Sequence, residues 1–267
     1  MMAFYSEFNR KKICWYSLGE GPVLVLLHGF LESSPVFFPL AKELSAHFRV
    51  LCIDLPGHGN SDTHGEIHSM QLCADVVASV LKSNSIKSAF LVGHSMGGYV
   101  ALSFLDRYPE YCKGLCLLNS TAFSDTEEKK KDRERAVAVM QKNISLFIKE
   151  AIPNLFAESN RERLKPDIET VMEHALQTKA EGAAACTLGM RDRRDRSDLL
   201  QKHVVPFLIV AGKYDGVIPM GRSHAMAALH PKIELVVMEE SGHMAFLEEK
   251  EKTCTTIIEF GKRIFSN

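Results

Sequence analysis

SAFLVGHSMGGYVAL, residues 88–102, is the stretch around which the rest of the chain is organised. It begins as a short apolar run that is typical of a buried strand. After Gly97 it continues with apolar residues at helical spacing, and Pro109 closes the segment. Between the two parts stands Gly-x-Ser-x-Gly, with Ser95 at its centre. A strand, a tight glycine turn and a helix in direct succession predict a serine in a strained conformation, with its hydroxyl clear of the sheet.

This turn has the sequence pattern of a nucleophile elbow. Glycine is needed at Gly93 and Gly97 because the turn is too tight for side chains at its flanks. The backbone N–H of Met96 opens the following helix and directs its positive end at whatever Ser95 attacks. We therefore predict that Ser95 is a catalytic nucleophile.

A serine hydroxyl is a poor nucleophile at neutral pH and needs a base, which in turn needs an orienting acid. Two later loops supply these groups. Asp215 follows the predicted strand Val204–Val210, and His243 follows the predicted strand Ile233–Met238. The chain order Ser, acid, His matches that of nucleophile-elbow enzymes. We predict that His243 is the general base and then acid, and that Asp215 orients its imidazole.

Each assignment has an alternative. Asp215 stands beside Gly216, which also fits an ordinary turn aspartate. His94 is a rival base, but it and Ser95 are neighbours at a turn apex and should point apart, so we expect His94 to pack under the turn. Asn119 ends a strand where an acid could sit, but it carries no charge, which favours Asp215.

Acyl transfer also needs two hydrogen-bond donors for the oxyanion. The N–H of Met96 is one candidate. The second is the N–H of Phe30, in the loop after the strand at Val23–Leu27, where Gly29 allows close approach of the backbone. His28 is interpreted as a structural residue that holds this loop.

Apolar runs and helical patterns alternate along the first part of the chain. Strands are predicted at Val23–Leu27, Arg49–Leu55 and Gly114–Leu118 in addition to the strand before Ser95. Helices are predicted between them, the first over Pro35–Phe48, and a closing helix is predicted over Phe246–Phe265. Ala3–Leu18 resembles an edge hairpin. The alternation predicts an α/β fold with a parallel sheet and right-handed crossovers.

The pattern changes between residues 120 and 200, where no strand-like run occurs. We predict three or four helices inserted as a lid over the carboxyl edge of the sheet. Residues 1–119 and 201–267 would then form the core. The charge run Thr126–Arg135 is interpreted as a solvated helix face rather than a partner-docking surface.

Composition narrows the class of protein. The 267 residues are 46% hydrophobic and carry a formal net charge of −1, which favours neither nucleic acid nor an anionic membrane as partner. No apolar run has the length of a membrane span, and Met1–Lys12 lacks the apolar core of a signal peptide. The seven cysteines are scattered without a Cys-x-x-Cys pair, which predicts reduced thiols in a cytoplasmic protein and no metal site.

Five segments together resemble the α/β-hydrolase superfamily, in its order and over nearly the whole chain. They are His28–Phe30, Asp54–Ser61, Gly93–Gly98, Gly212–Asp215 and Ser241–His243. The resemblance implies the α/β-hydrolase fold, with a mostly parallel sheet, helices on both faces and a helical cap. Ser95 departs from the haloalkane dehalogenase and epoxide hydrolase patterns, which have aspartate at the nucleophile.

The segment from Leu188 to Pro206 resembles the part of small carboxylesterases, enol-lactonases and carbon–carbon hydrolases in which the chain leaves the lid and returns to the sheet. Arg191 in this segment is a candidate for binding a substrate carboxylate, although the pattern favours an ordinary surface arginine. Met140, Phe147 and Met190 are predicted to line an adaptable apolar pocket under the lid.

These features predict a serine hydrolase, of the carboxylesterase kind (EC 3.1.1), that cleaves a small, largely apolar ester through an acyl-enzyme. No metal or organic cofactor is implied, and the protein is expected to be a monomer or homodimer. One alternative is cleavage of a lactone, or of a carbon–carbon bond in a diketone acid, by the same triad. An alternative of another class is a small-molecule receptor that uses the lid to signal.

Overall fold

The computed structural model describes residues 1–266, which form one eight-stranded sheet flanked by helices. The strands are β1 (Met2–Phe8), β2 (Lys11–Leu18), β3 (Val23–Leu27), β4 (Arg49–Ile53), β5 (Ala89–His94), β6 (Cys112–Leu118), β7 (Phe207–Gly212) and β8 (Glu234–Met238). The helices are α1 (Phe38–Leu44), α2 (Met70–Ser83), α3 (Met96–Arg107), α4 (Glu127–Ala151), α5 (Lys165–Ala175), α6 (Ala180–Arg191), α7 (Ser197–Lys202), α8 (Met220–Ala227), α9 (Ala245–Glu248) and α10 (Lys250–Ser266).

The strand order is β1-β2-β4-β3-β5-β6-β7-β8. β1 pairs antiparallel with β2, and β2 antiparallel with β4, while every later pair is parallel. The predicted hairpin and the predicted parallel sheet are therefore confirmed. Because parallel strands end at the same edge, the loops after β3, β5, β6, β7 and β8 meet there.

The central strands β3 to β7 are buried on both faces of the sheet, as their continuous aliphatic sequences require. Val25 and Leu27 of β3 belong to the core shared with α2 and α3. Leu24 and Leu26, which point the other way, belong to the core shared with α1 and α10. All seven cysteines are buried and free.

Two predicted elements have different bounds in the structure. The helix predicted over Pro35–Phe48 is a 3₁₀ turn at Ser34–Phe37 followed by α1. The strand predicted from Val204 begins only at Phe207, because Pro206 has no N–H to donate to the sheet.

Helices α4 to α7 lie between β6 and β7, so the predicted helical insertion holds four α-helices and runs to Lys202. Thr126 caps α4 by accepting a hydrogen bond from the N–H of Lys129 at 3.2 Å. α4 is interrupted at Asn143 (φ −159°, ψ 84°), and the side chain of Asn143 caps its second half by accepting from the N–H of Leu146. Among residues 1–266, none of the helices combines the length and the apolar composition needed to cross a bilayer.

Candidate active site

Ser95 occupies the turn between β5 and α3 with φ 49° and ψ −114°, a strained conformation for a residue other than glycine. Its backbone is held on both sides. The N–H of Ser95 donates to the carbonyl of Leu118 at 3.0 Å, and its carbonyl accepts from the hydroxyl of Ser120 at 2.7 Å. Hydrogen bonds with Leu118 of β6 and with Ser120 thus stabilise the turn.

The glycines beside Ser95 are required by close backbone contacts. A Cβ atom on Gly97 would lie 2.1 Å from the carbonyl oxygen of Leu27, and one on Gly93 would lie 2.4 Å from that of Gly97. Neither contact can be relieved by moving a side chain, because both neighbours are backbone atoms. The turn can form only with glycine at these two positions.

The structure brings Asp215 and His243 together across 28 residues. Nδ1 of His243 donates to the Asp215 carboxylate, at 2.8 Å from Oδ2 and 3.0 Å from Oδ1, and both side chains are buried. Asp215 also accepts from the N–H groups of Val217 and Ile218, at 2.8 and 2.9 Å. Burial by itself would raise the pKa of Asp215, but the imidazole of His243 and the N–H of Ile218 bring it below its ordinary value.

Asn119, the residue considered as a rival to the acid, supports Asp215 instead. Its side-chain amide donates to Oδ2 of Asp215 and to the carbonyl of Gly242, both at 3.0 Å. Asn119 has φ 47°, a left-handed conformation that asparagine tolerates better than most residues. It thereby fixes the acid relative to the loop that carries His243.

Ser95 and His243 line one cavity of about 130 Å³, together with Phe30, Leu155, Met190 and Val217. Since Nδ1 of His243 is bound to Asp215, its other ring nitrogen is the one available to Ser95. No hydrogen bond joins the two side chains within the part of the chain that the structure describes. Such contacts commonly tighten only when substrate binds.

The two predicted oxyanion donors belong to the residue that follows Ser95 and to a residue that lines the same cavity. Helix α3 begins at Met96, so the N–H of Met96 has no acceptor within the helix. Phe30 lines the cavity with Ser95. The imidazole of His28 holds the Phe30 loop as expected: Nε2 accepts from the N–H of Leu55 at 2.9 Å, and Nδ1 donates to the carbonyl of Gly29 at 2.8 Å.

His94 packs under the turn, as the geometry of the elbow predicts, and forms a buried ion pair with Glu32. Its Nδ1 lies 3.0 Å from the Glu32 carboxylate, and its Nε2 donates to the backbone carbonyl of His243 at 2.8 Å. Glu32 also accepts from the N–H of Gly29 at 2.8 Å. Burial alone would raise the pKa of Glu32 and lower that of His94, but their attraction reverses both directions. Both nitrogens of His94 are donors here, so it is not available as the base.

Glu248 is a further buried carboxylate that the sequence analysis did not single out. The closing helix predicted over Phe246–Phe265 breaks at Glu249, which leaves Glu248 at the end of the short helix α9. Its carboxylate accepts from the N–H groups of Gly242 and Met244, on either side of His243, at 2.8 and 3.1 Å. The feature of the sequence that could have indicated this role is the position of an acidic residue five residues after the predicted base.

The helical segment holds the same loop from the other side. The N–H of His243 donates to the carbonyl of Leu155 at 2.7 Å. Glu248 accepts from the N–H of Ala157 and from the side chain of Asn160, both at 2.8 Å. The position of His243 therefore depends on the segment that follows α4.

A larger cavity of about 530 Å³ adjoins the first and shares Phe30, Lys129, Arg133, Leu155 and Val217 with it. Of the predicted pocket residues, Met190 lines the inner cavity and Phe147 the outer one. Met140 does not line either cavity, because its side chain is buried in the core between the helical segment and the sheet.

Arg191, predicted to contact substrate, lies elsewhere. Its guanidinium binds Asp192 at 2.8 Å and Glu134 at 3.2 Å at the surface. The cations that line the cavities are Lys129 and Arg133, from the charge run that the sequence analysis interpreted as a solvated face. Their spacing of four residues places both on one side of a helix, and this is the feature of the sequence that could have indicated a shared surface.

Arg193, two residues further on, is buried and connects the two ends of the helical segment. It binds the Asp125 carboxylate at 2.8 Å and stacks over the ring of Tyr99 in α3 at 4.0 Å. Arg133 binds the same carboxylate. Burial opposes the charge on Asp125, but the two guanidinium groups hold its pKa below the ordinary value.

The fold agrees with comparisons to known proteins. Residues 22–159, more than half of the chain, match the family model of the α/β hydrolase fold. The chain therefore belongs to the α/β-hydrolase family, and the predicted fold class is confirmed.

Among its relatives is the pimeloyl-[acyl-carrier protein] methyl ester esterase of Vibrio cholerae, 30% identical over 93% of this chain and 98% of the relative. The enzyme of the same name from Yersinia pestis is 29% identical over 94% of this chain and 98% of the relative. A thermophilic esterase from Thermogutta terrifontis superposes with a TM-score of 0.93 at 29% identity, covering 99% of both chains. The enol-lactonase of Burkholderia xenovorans superposes at 0.90 with 20% identity, over 97% of this chain and 99% of that one, which shows the shared fold alone. The prediction of an ester hydrolase (EC 3.1.1) is confirmed.

Proposed function

We propose that this hydrolase cleaves a small carboxylic ester in two steps through an acyl-enzyme on Ser95. The observation that carries the proposal is the buried Asp215–His243 pair, which faces a cavity that Ser95 also lines. His243 takes the proton of the Ser95 hydroxyl as its oxygen attacks the ester carbonyl. The N–H groups of Met96 and Phe30 stabilise the oxyanion.

His243 then gives the proton to the departing alcohol, and the acyl group stays on Ser95. A water molecule enters, loses a proton to His243 and attacks the acyl carbonyl. The acid leaves, and the proton returns to Ser95. Asp215 remains ionised throughout, because its lowered pKa favours the carboxylate that orients and stabilises the imidazolium.

The apolar side chains around Ser95 favour a small ester group. Phe30, Leu155, Met190 and Val217 surround about 130 Å³, which is below the usual volume of a drug-sized pocket. Leu155 and Met190 belong to the helical segment, which supports its role as a lid over the site.

Steady-state hydrolysis of p-nitrophenyl esters of increasing acyl length tests the proposal. We expect multiple turnovers that fall to background in Ser95→Ala, and preference for short acyl groups. Ser103→Ala is the matched control, since Ser103 lies in α3 with its hydroxyl buried and unpaired among the described residues. A fluorophosphonate should label the wild type once and Ser95→Ala not at all.

Other results would contradict parts of the proposal. Activity that survives in Ser95→Ala would exclude Ser95 as the nucleophile. A labelled enzyme that turns over no ester would point to a lactone or a carbon–carbon substrate. A single slow turnover, with a change in lid mobility when ligand binds, would indicate a receptor.

A further inference from the structure

One face of α4 forms part of the wall of the active-site cavities and carries a cluster of charges. Lys129, Asp132, Arg133 and Ala136, spaced as successive turns of one helical face, line the outer cavity. Lys129 and Arg133 also line the inner cavity with Ser95. The charge balance of this face decides what kind of substrate it attracts.

Three of the charged groups that line the cavities are paired with groups of opposite charge. Asp132 pairs with Arg135 on the outer side of α4. Glu32 is buried and pairs with His94. Arg133 binds Asp125, but Arg193 binds the same carboxylate. These three residues, the Asp125 trio, therefore carry a net charge of one positive unit.

Lys129 is the exception. Among residues 1–266, no carboxylate lies within ion-pair distance of its ammonium group, and its side chain is exposed at the cavity. Its backbone is fixed at the capped start of α4 through the bond to Thr126. With the surplus charge of the Asp125 trio, the cavity mouth carries about two uncompensated positive charges next to an apolar wall.

We propose that the preferred substrates are esters that carry a second, ionised carboxylate, such as half-esters of dicarboxylic acids, and that Lys129 binds this carboxylate. The inference rests on the proposed ester hydrolysis at Ser95. The apolar residues near Ser95 hold the ester and its adjoining methylene groups, while Lys129 holds the anionic end at the mouth. Arg133, four residues away, adds to the positive potential.

Selectivity, defined as the ratio of kcat/KM for an anionic ester to that for its neutral partner, tests the proposal. For the acyl side the pair is mono-p-nitrophenyl glutarate and p-nitrophenyl pentanoate. For the alcohol side it is 4-carboxyphenyl butyrate and phenyl butyrate. Lys129→Met should lower selectivity about three- to fivefold on one of these pairs, through KM. High salt should weaken the wild-type preference in the same direction.

Lys131→Met is the matched control, because Lys131 is exposed on the same helix and lines neither cavity. It should leave selectivity unchanged. Equal selectivity in wild type and Lys129→Met on both pairs would overturn the proposal, as would an equal loss in Lys131→Met. Neutral esters test the mechanism separately: if Ser95→Ala abolishes their hydrolysis while Lys129→Met keeps the wild-type selectivity on both pairs, the esterase mechanism stands and the carboxylate site does not.

Discussion

Glu32 and His94 form an ion pair of 3.0 Å that is enclosed by protein on all sides, with side-chain exposures of 1% and 0%. The pair joins three segments of the site. Glu32 holds Gly29 in the loop after β3, His94 precedes Ser95, and the carbonyl of His243 accepts from His94. A Cβ on Gly29 would lie 2.7 Å from the Glu32 carboxylate and 2.8 Å from Nδ1 of His94, so a side chain at this position would displace the ion pair.

The ion pair predicts a pH dependence of stability. The pKa of His94 is raised above 6.5 in the folded state, so the folded state binds its proton more tightly than the unfolded state. This stabilisation is complete below the unfolded pKa and is lost as the pH rises through the folded pKa. Wild type should therefore exceed Glu32→Gln in free energy of unfolding by about 3 kcal/mol near pH 6, and less near pH 9. Urea denaturation across this range measures the gap, and a constant gap would contradict the ion pair.

Asn119→Asp should change the pH profile of activity. Aspartate tolerates the left-handed backbone at this position, but it replaces a donor to Asp215 with a second carboxylate about 3.0 Å away. Repulsion between like charges raises the pKa values of the pair. The acid limb of kcat/KM should move to higher pH than in wild type. Asn9→Asp, at an exposed position of the β1–β2 turn with a similar left-handed φ of 50°, is the control, and an unmoved limb in Asn119→Asp would exclude the contact.

Glu248→Gln should reduce both stability and kcat. The substitution removes the charge of a side chain that accepts hydrogen bonds from three N–H groups. Two of them lie on either side of His243, and the third belongs to Ala157. We expect a loss of about 2 kcal/mol in free energy of unfolding, since bonds to a charged group contribute about 1.5–3 kcal/mol. Glu251→Gln, at an exposed position of α10, should change neither quantity. Equal behaviour of the two variants would show that Glu248 does not position the loop.

Arg193→Lys and Arg191→Lys should differ sharply. Lysine at 193 loses the planar contact with Tyr99 and the pairing with buried Asp125, which should cost about 3 kcal/mol. Lysine at 191 weakens only surface pairs and should cost about 0.5 kcal/mol or less. Thermal or urea unfolding of the two variants measures this, and similar losses would refute the anchoring role of Arg193.

Much of the fold could be predicted because its signals are local. A buried parallel strand is a continuous aliphatic run, and the turn around Ser95 needs glycines within two residues of the serine. The shifts at Pro206 and Glu249 are small, because local backbone chemistry changes where an element begins or breaks but not its place in the sheet.

The amino-acid sequence alone determined the α/β class, the order of the strands along the chain, and Ser95, Asp215 and His243 as candidates, because each follows a recognisable strand. Only the tertiary structure decided which charged residues reach the site. Glu32 meets His94 across 62 residues, and Glu248 meets Ala157 across 91. Arg191 and Arg193 look alike in sequence, yet one lies at the surface and the other is buried. Their environments depend on how the helical segment packs over the sheet, and that packing is a sum of long-range contacts that no local pattern records.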